Sequence, residues 1–162
     1  MYIDMEIYIM GTIFWTNTIW YILLGVLTIV ELVLAIVHAK NRQRAIAFYL
    51  TITGIVLTFE TIILFFMKAY VYYPMIIQNP PRPFDNVLAG NSFSKFSVDA
   101  SALLVVVLNF KSYWFFIFGV IYGIIEELFL ALGIYQHNWY RTWMTVLGIP
   151  LFIWVVKKMY VK

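Results

Sequence analysis

The stretch YWFFIFGVIYGIIEELFLALGIY, residues 113–135, decides the fold class. It holds Glu126 and Glu127 but no basic residue, and everything else in it is apolar, aromatic or glycine. A helix that crosses a bilayer needs roughly 20 predominantly apolar residues, and this run supplies them. The same texture recurs on either side. Ile7 to Val30 carries no charge, Ala45 to Met67 is broken only by Glu60, and Trp139 to Val156 only by Arg141.

Composition agrees. The chain has 162 residues, of which 64% are hydrophobic and 12% charged, with a mean hydropathy of +0.87. An ordinary soluble domain is about 25% charged, and a small one has too much surface to cover with fewer. A soluble enzyme, a disordered segment and a nucleic-acid binder are therefore excluded. There is no cysteine, which removes disulfides, zinc–thiolate sites, iron–sulfur clusters and thiol catalysis. The first ten residues carry Asp4 and Glu6 without Lys or Arg, unlike a secretory signal, and no lipidation motif is present.

These runs predict one all-α domain, an integral membrane bundle of five transmembrane helices. The expected spans are about 17–37, 45–67, 92–110, 113–135 and 139–156. Thr16, Asn17 and Thr18 read as the N-cap of the first, with residues 2–14 an aromatic-rich interfacial stretch or an extra turn. Residues 72–92, with Asn79-Pro-Pro-Arg-Pro83 at the centre, read as an outer loop, since proline ends helices. Val98 to Phe110 alone is too short to span, so the third span extends back to Ser92, and Lys95 is expected to snorkel to the surface. Gly148-Ile-Pro150 predicts a kink in the last. Five crossings bring the basic segment 40–44, Lys111 and the C-terminal lysines to one side. Lys/Arg-rich short loops favour the cytoplasm, so the N-terminus is expected outside and the C-terminus inside. Trp15, Trp20, Tyr70, Tyr72, Tyr73, Trp139, Tyr140 and Trp143 would mark the outer boundary, and Tyr113, Trp114 and Trp154 the inner one.

Ionisable residues at membrane depth are costly and usually face protein or water. On the five-span reading, Glu60, Asp99, Glu126 and Glu127 fall in the outer half, with His137 and Arg141 just beyond. These six are the candidate residues of an outer pocket for a cation, a proton or a polar ligand. Glu31 lies apart, seven residues before His38 and so on roughly the same helical face. Gly119 and Gly123 form a GxxxG pair that permits close helix approach.

Chemical motifs are sparse. Glu126-Glu127 is like the pair of the membrane CAAX-type proteases, but the position that should be Arg is Ala131, and the later histidine motif is missing. HExxH, Walker A and GxGxxG patterns are absent, so no cofactor is expected. With His38 and His137 on opposite sides, a histidine-rich metal centre is excluded within one chain, while a carboxylate site for a hard cation stays open.

Tyr-Tyr-Pro at 72–74, Phe-Asp-Asn at 84–86, Gly-Asn-Ser-Phe-Ser at 90–94, Ile-Glu-Glu-Leu-Phe at 125–129 and Leu-Gly-Ile-Tyr-Gln-His-Asn-Trp-Tyr-Arg-Thr-Trp at 132–143 carry a resemblance. In its second half the chain resembles a family of small multi-pass membrane proteins of spore-forming and related Gram-positive bacteria. The resemblance implies a bacterial plasma membrane and brings no activity with it.

Three functions remain open. The first is a non-enzymatic membrane protein that binds or conducts a small polar or cationic species, or serves as a subunit of a larger assembly. The second is an enzyme acting on a lipid or isoprenoid with Glu126 or Glu127 as general acid, which requires an apolar cleft beside the pair. The third is a structural accessory protein whose acids are each paired to a local hydroxyl. The lipid bilayer is the expected partner in all three, with a second copy of the chain or a membrane subunit as a further one, and no nucleic acid.

Overall fold

The computed structural model describes residues 11–77 and 79–161. Five long helices account for most of them: α1 (Gly11–His38), α2 (Arg42–Phe66), α3 (Pro83–Val107), α4 (Tyr113–Ala131) and α5 (Thr142–Val161). Four of these, α1, α2, α4 and α5, are long and apolar enough to cross a membrane. Their apolar side chains point outward as often as inward. Ile29 and Val33 on α1, Leu50 and Phe59 on α2, Ile124 on α4 and Leu151 on α5 are all exposed. That is the surface of a protein solvated by lipid, where apolar groups need no burial.

The fifth helix, α3, is the hub. It packs against each of the other four. Ser97, Asp99 and the run from Ala100 to Val106 are buried within it. Its polar residues lower its hydropathy, and its neighbours shield them. α3 begins nine residues earlier than the sequence reading placed it and ends three earlier. The supposed loop 72–92 is therefore shortened to 73–82. Pro83 occupies the first helical position, where the missing N–H costs nothing. Asp85 accepts from the Arg82 backbone N–H at 3.2 Å and pairs with its guanidinium at 3.3 Å. A proline read as a terminator is thus an initiator.

Other boundaries differ for similarly local reasons. Thr16–Thr18 do not cap α1, since Thr18 is itself helical (φ −62°, ψ −41°). The helix passes through them from Gly11 with a π-helical turn at Phe14–Thr18. Asn17 and Thr18 instead grip the next loop, donating to the Tyr73 carbonyl at 2.9 Å and the Pro74 carbonyl at 3.0 Å. Residues 2–10 of the expected interfacial stretch lie outside the described residues. α4 stops at Ala131 rather than 135, and Gly133 takes a left-handed turn at φ +70°. α5 covers 142–161 rather than 139–156 and continues through Pro150.

The fold is not purely helical. Two short strands, β1 (Tyr70–Tyr72) and β2 (Tyr135–His137), pair antiparallel in the register Tyr70↔His137, Val71↔Gln136, Tyr72↔Tyr135. Strand side chains alternate faces. Tyr70, Tyr72 and Tyr135 accordingly point into the bundle, and Tyr72 and Tyr135 stack at 4.7 Å between centroids. Two tyrosines expected as boundary anchors are therefore core residues, while Trp15, Trp139 and Trp143 are exposed.

Cross-links join each end of the bundle. At the sheet end, Trp139 Nε1 donates to the Met67 carbonyl at 2.7 Å. At the opposite end, Arg44 donates to the Tyr160 carbonyl at 2.6 Å and Lys157 to the Phe110 carbonyl at 3.0 Å.

Gly119 and Gly123 bring α4 against α5. A Cβ at Gly119 would lie 2.7 Å from the Val146 carbonyl oxygen and 2.9 Å from Pro150 Cδ. Val146 is four residues before Pro150, so its carbonyl is the one that proline deprives of a helical donor. The glycine leaves room for α4 to lie close against that carbonyl.

Candidate functional site

Beneath the sheet lies a cavity of about 450 Å³. α3 contributes Ser94, Lys95, Val98 and Asp99 to its wall, and α2 and α5, which each pack on α3, supply further walls. Ile55, Phe59, Val155 and Met159 both line the cavity and are exposed on the bundle surface. Its mouth therefore opens sideways, between α2 and α5, onto the apolar exterior. Thr145 and Met159 both border it, so it runs about 21 Å along α5 at 1.5 Å per residue.

The cavity is polar at one end and apolar along the rest. Polar groups gather under the sheet. Glu60 of α2 pairs with Lys95 at 2.9 Å and accepts from the Tyr70 hydroxyl. The Lys95 ammonium also stands over the Tyr70 ring, 5.7 Å from its centroid. Glu126 of α4 meets His137 Nε2 at 2.6 Å and accepts from Thr145, whose oxygen lies 3.0 Å from the Tyr140 hydroxyl. Toward the opposite end the lining is Ile52, Val56, Ile149, Phe152, Val156 and Met159.

The hydroxyls of the sheet are fixed donors. Burial pushes Tyr72 up to about 12, with Lys95 drawing it back, and burial raises Tyr70, Tyr135 and Tyr140 as well. All four stay protonated at neutral pH.

Three of the six residues expected from sequence, Glu60, Asp99 and Glu126, border this one cavity. His137 stands behind Glu126. The other two are elsewhere. Glu127 is exposed and accepts from Thr142, and Arg141 donates to the Asn138 and Tyr140 carbonyls at 3.0 and 2.7 Å. Adjacent residues on a helix diverge by about 100°, so Glu126 and Glu127 could not both face the cavity. Among the described residues, no group of three or more His, Asp or Glu is assembled that could hold a metal ion.

Two interior features went unread in the sequence. Lys95 does not snorkel; its side chain is 18% exposed and is bound to Glu60 inside the protein. Its spacing from Asp99, four residues along one helix, was the available signal. The second is a hydrogen-bonded chain on the α1 side of α3. Ser97 and Ser101 each lie 2.8 Å from the Tyr122 hydroxyl, and Ser101 donates to Glu31 at 2.7 Å. Glu31 is thus turned inward to α3, while His38 is exposed and bonded to its own helix at the Leu34 carbonyl.

Asp99 differs from every other acid in the interior. It is fully buried, and neither carboxylate oxygen has a hydrogen-bond partner. Thr53 is its neighbour, but the Thr53 hydroxyl also lacks a partner of good geometry. Unpaired buried charge is rare because each lost partner exposes the full desolvation cost.

No family model matches the chain, and neither a curated protein nor a solved structure matches it.

Proposed function

We propose that the chain is a five-span protein of the bacterial plasma membrane that binds a small molecule with a polar head and an apolar body. The carrying observation is the polarity of the cavity. Its paired charges gather at one end, its apolar lining fills the rest, and its mouth faces the lipid-exposed side. A ligand with a water-seeking head and a hydrocarbon body matches that division, and it can enter from the bilayer. This widens the expectation of a small polar or cationic ligand. It also draws on the apolar cleft that the lipid-directed alternative required, without a catalytic role for Glu126, whose oxygens are already held by His137 and Thr145.

Orientation follows from charge. Lys40, Arg42, Arg44, Lys111, Lys157 and Lys158 belong to the end opposite the sheet, and segments 38–44, 107–112 and 157–161 carry no acid. Basic short loops stay cytoplasmic, so α3 is the third span and the sheet lies outside. The absence of native cysteine makes the test direct. Lys40→Cys should react with an impermeant maleimide only after cells are opened, and Arg82→Cys in intact cells. The reverse pattern would invert the topology.

Ligand binding is tested by filling the space. Gly148 lines the cavity, and a Cβ there meets nothing within 4 Å. Gly148→Trp should therefore fold normally and block the site. Native mass spectrometry of protein titrated with monooleoylglycerol, a neutral single-chain amphiphile, should show one saturable copy. Its affinity should fall at least about tenfold, or roughly 1.4 kcal/mol, in Gly148→Trp. Equal, non-saturable uptake by both proteins would refute the reading.

A further inference from the structure

At the polar end of the cavity two carboxyl groups, Glu60 and Asp99, have one ammonium near them, and only Glu60 holds it. Lys95 lies one helical turn before Asp99, so both project from the same face of α3. The ammonium is found on Glu60, with the Tyr70 ring beside it. Asp99 is left with nothing. The arrangement around Glu60 is a cation site in its own right: a carboxylate and, next to it, an aromatic ring, the two groups that attract an organic cation. In this structure the occupant is the protein's own lysine.

Asp99 is reached differently. Its oxygens are covered, so a bulky ligand does not touch it. The ions small or near enough to serve it are a proton and the Lys95 ammonium. Other ionisable groups around it do not help. Glu60 and Tyr49 on α2 and Tyr122 on α4 are acids, and Glu31 on α1 is engaged by Ser101. The ionisable side chains of α5, Lys157, Lys158 and Tyr160, belong to the far end.

We propose that the cavity exchanges an organic monocation for a proton: the cation takes the place of the Lys95 ammonium on Glu60, beside the Tyr70 ring, the ammonium moves one turn to Asp99, and Asp99 releases its proton to solvent. One positive charge enters and one leaves, so the interior keeps its balance. The cation is one with an apolar body, such as a quaternary ammonium or phosphonium. This rests on the reading of the cavity as an amphiphile site and specifies its head group.

The test uses the full chain in lipid nanodiscs, with empty discs as reference. Tetraphenylphosphonium is titrated by calorimetry in two buffers of different ionisation enthalpy, alongside tetraphenylborate, an anion of the same shape. The wild type is expected to bind the phosphonium with release of about one proton, and to gain affinity about tenfold per pH unit where Asp99 starts protonated. Asp99→Asn is expected to bind it with no proton released. The borate should not compete. The pH dependence is read on the wild type alone, so the proposal stands or falls even if Asp99→Asn misfolds. Phosphonium binding without proton release, an unchanged proton count in folded Asp99→Asn, or preference for the borate would overturn the exchange. Monooleoylglycerol binding that persists in those cases would leave the amphiphile site intact. Loss of saturable binding for all three probes would overturn both.

Discussion

Replacing Lys95 with methionine is expected to lower stability by about 3–5 kcal/mol, the cost of breaking a buried ion pair from one side. The substitution leaves the Glu60 carboxylate in the interior with no cation beside it. Glu60 keeps only the Tyr70 hydroxyl, and Asp99 keeps nothing. The reciprocal change, Glu60→Gln, should cost less, because Lys95 can turn to Asp99 on its own helix face. Combining the two should recover part of the loss in Lys95→Met, since it removes the stranded charge. Thermal unfolding in nanodiscs gives the comparison. Equal losses for Lys95→Met and Glu60→Gln would mean that the ammonium has one partner and no alternative.

Gly119→Ala is the second large effect. It adds one methyl group, but at 2.7 Å from the Val146 carbonyl oxygen and 2.9 Å from Pro150 Cδ. Neither atom is the flexible end of a side chain. α4 and α5 must move apart, and overpacking of this kind costs about 2–3 kcal/mol. Gly123→Ala is the internal comparison. Its Cβ would meet Val146 Cγ2 at 2.6 Å, the tip of a side chain that can change rotamer, so its loss should be smaller. Gly148→Ala, with nothing within 4 Å, should be neutral. A ranking in which Gly123 outweighs Gly119 would show that the seam between α4 and α5 yields at the backbone.

What could be read from sequence followed one rule, and its failures follow another. The four outer helices were visible because lipid-facing residues need only be apolar, and apolarity is additive along a string. Even the close approach at Gly119 and Gly123 was legible from four-residue spacing. α3 was blurred because a buried helix in a membrane protein may carry Lys95, Ser97 and Ser101 when neighbours satisfy them, and those neighbours lie far off in sequence. Glu60 is 35 positions from Lys95 by the numbering, and nothing local announces the pair. The sheet was missed although Tyr70-Val-Tyr72 and Tyr135-Gln-His137 each alternate. Three residues are too short for a period-two signal to stand out. For the site, sequence placed Glu60, Asp99 and Glu126 at a common depth, and depth was enough to group them. It could not say which way each side chain turns around its helix, and so it included Glu127 and Arg141.

The central position of α3 also bears on how the protein is made. Asp and Lys at a helix centre each oppose entry into lipid by about 2.5–3.5 kcal/mol, and α3 carries both near its midpoint. α1 and α2 can enter the bilayer on hydropathy alone as they leave the ribosome. α3 follows them, and most of the packing it needs is already there: α1 is its largest neighbour, and Glu60 on α2 awaits Lys95. The core of the finished protein is thus its least insertable segment, and it enters against partners made before it. A chain truncated after residue 112 should therefore still insert α3, and Glu60→Ala in that truncated chain should leave more of it outside the bilayer.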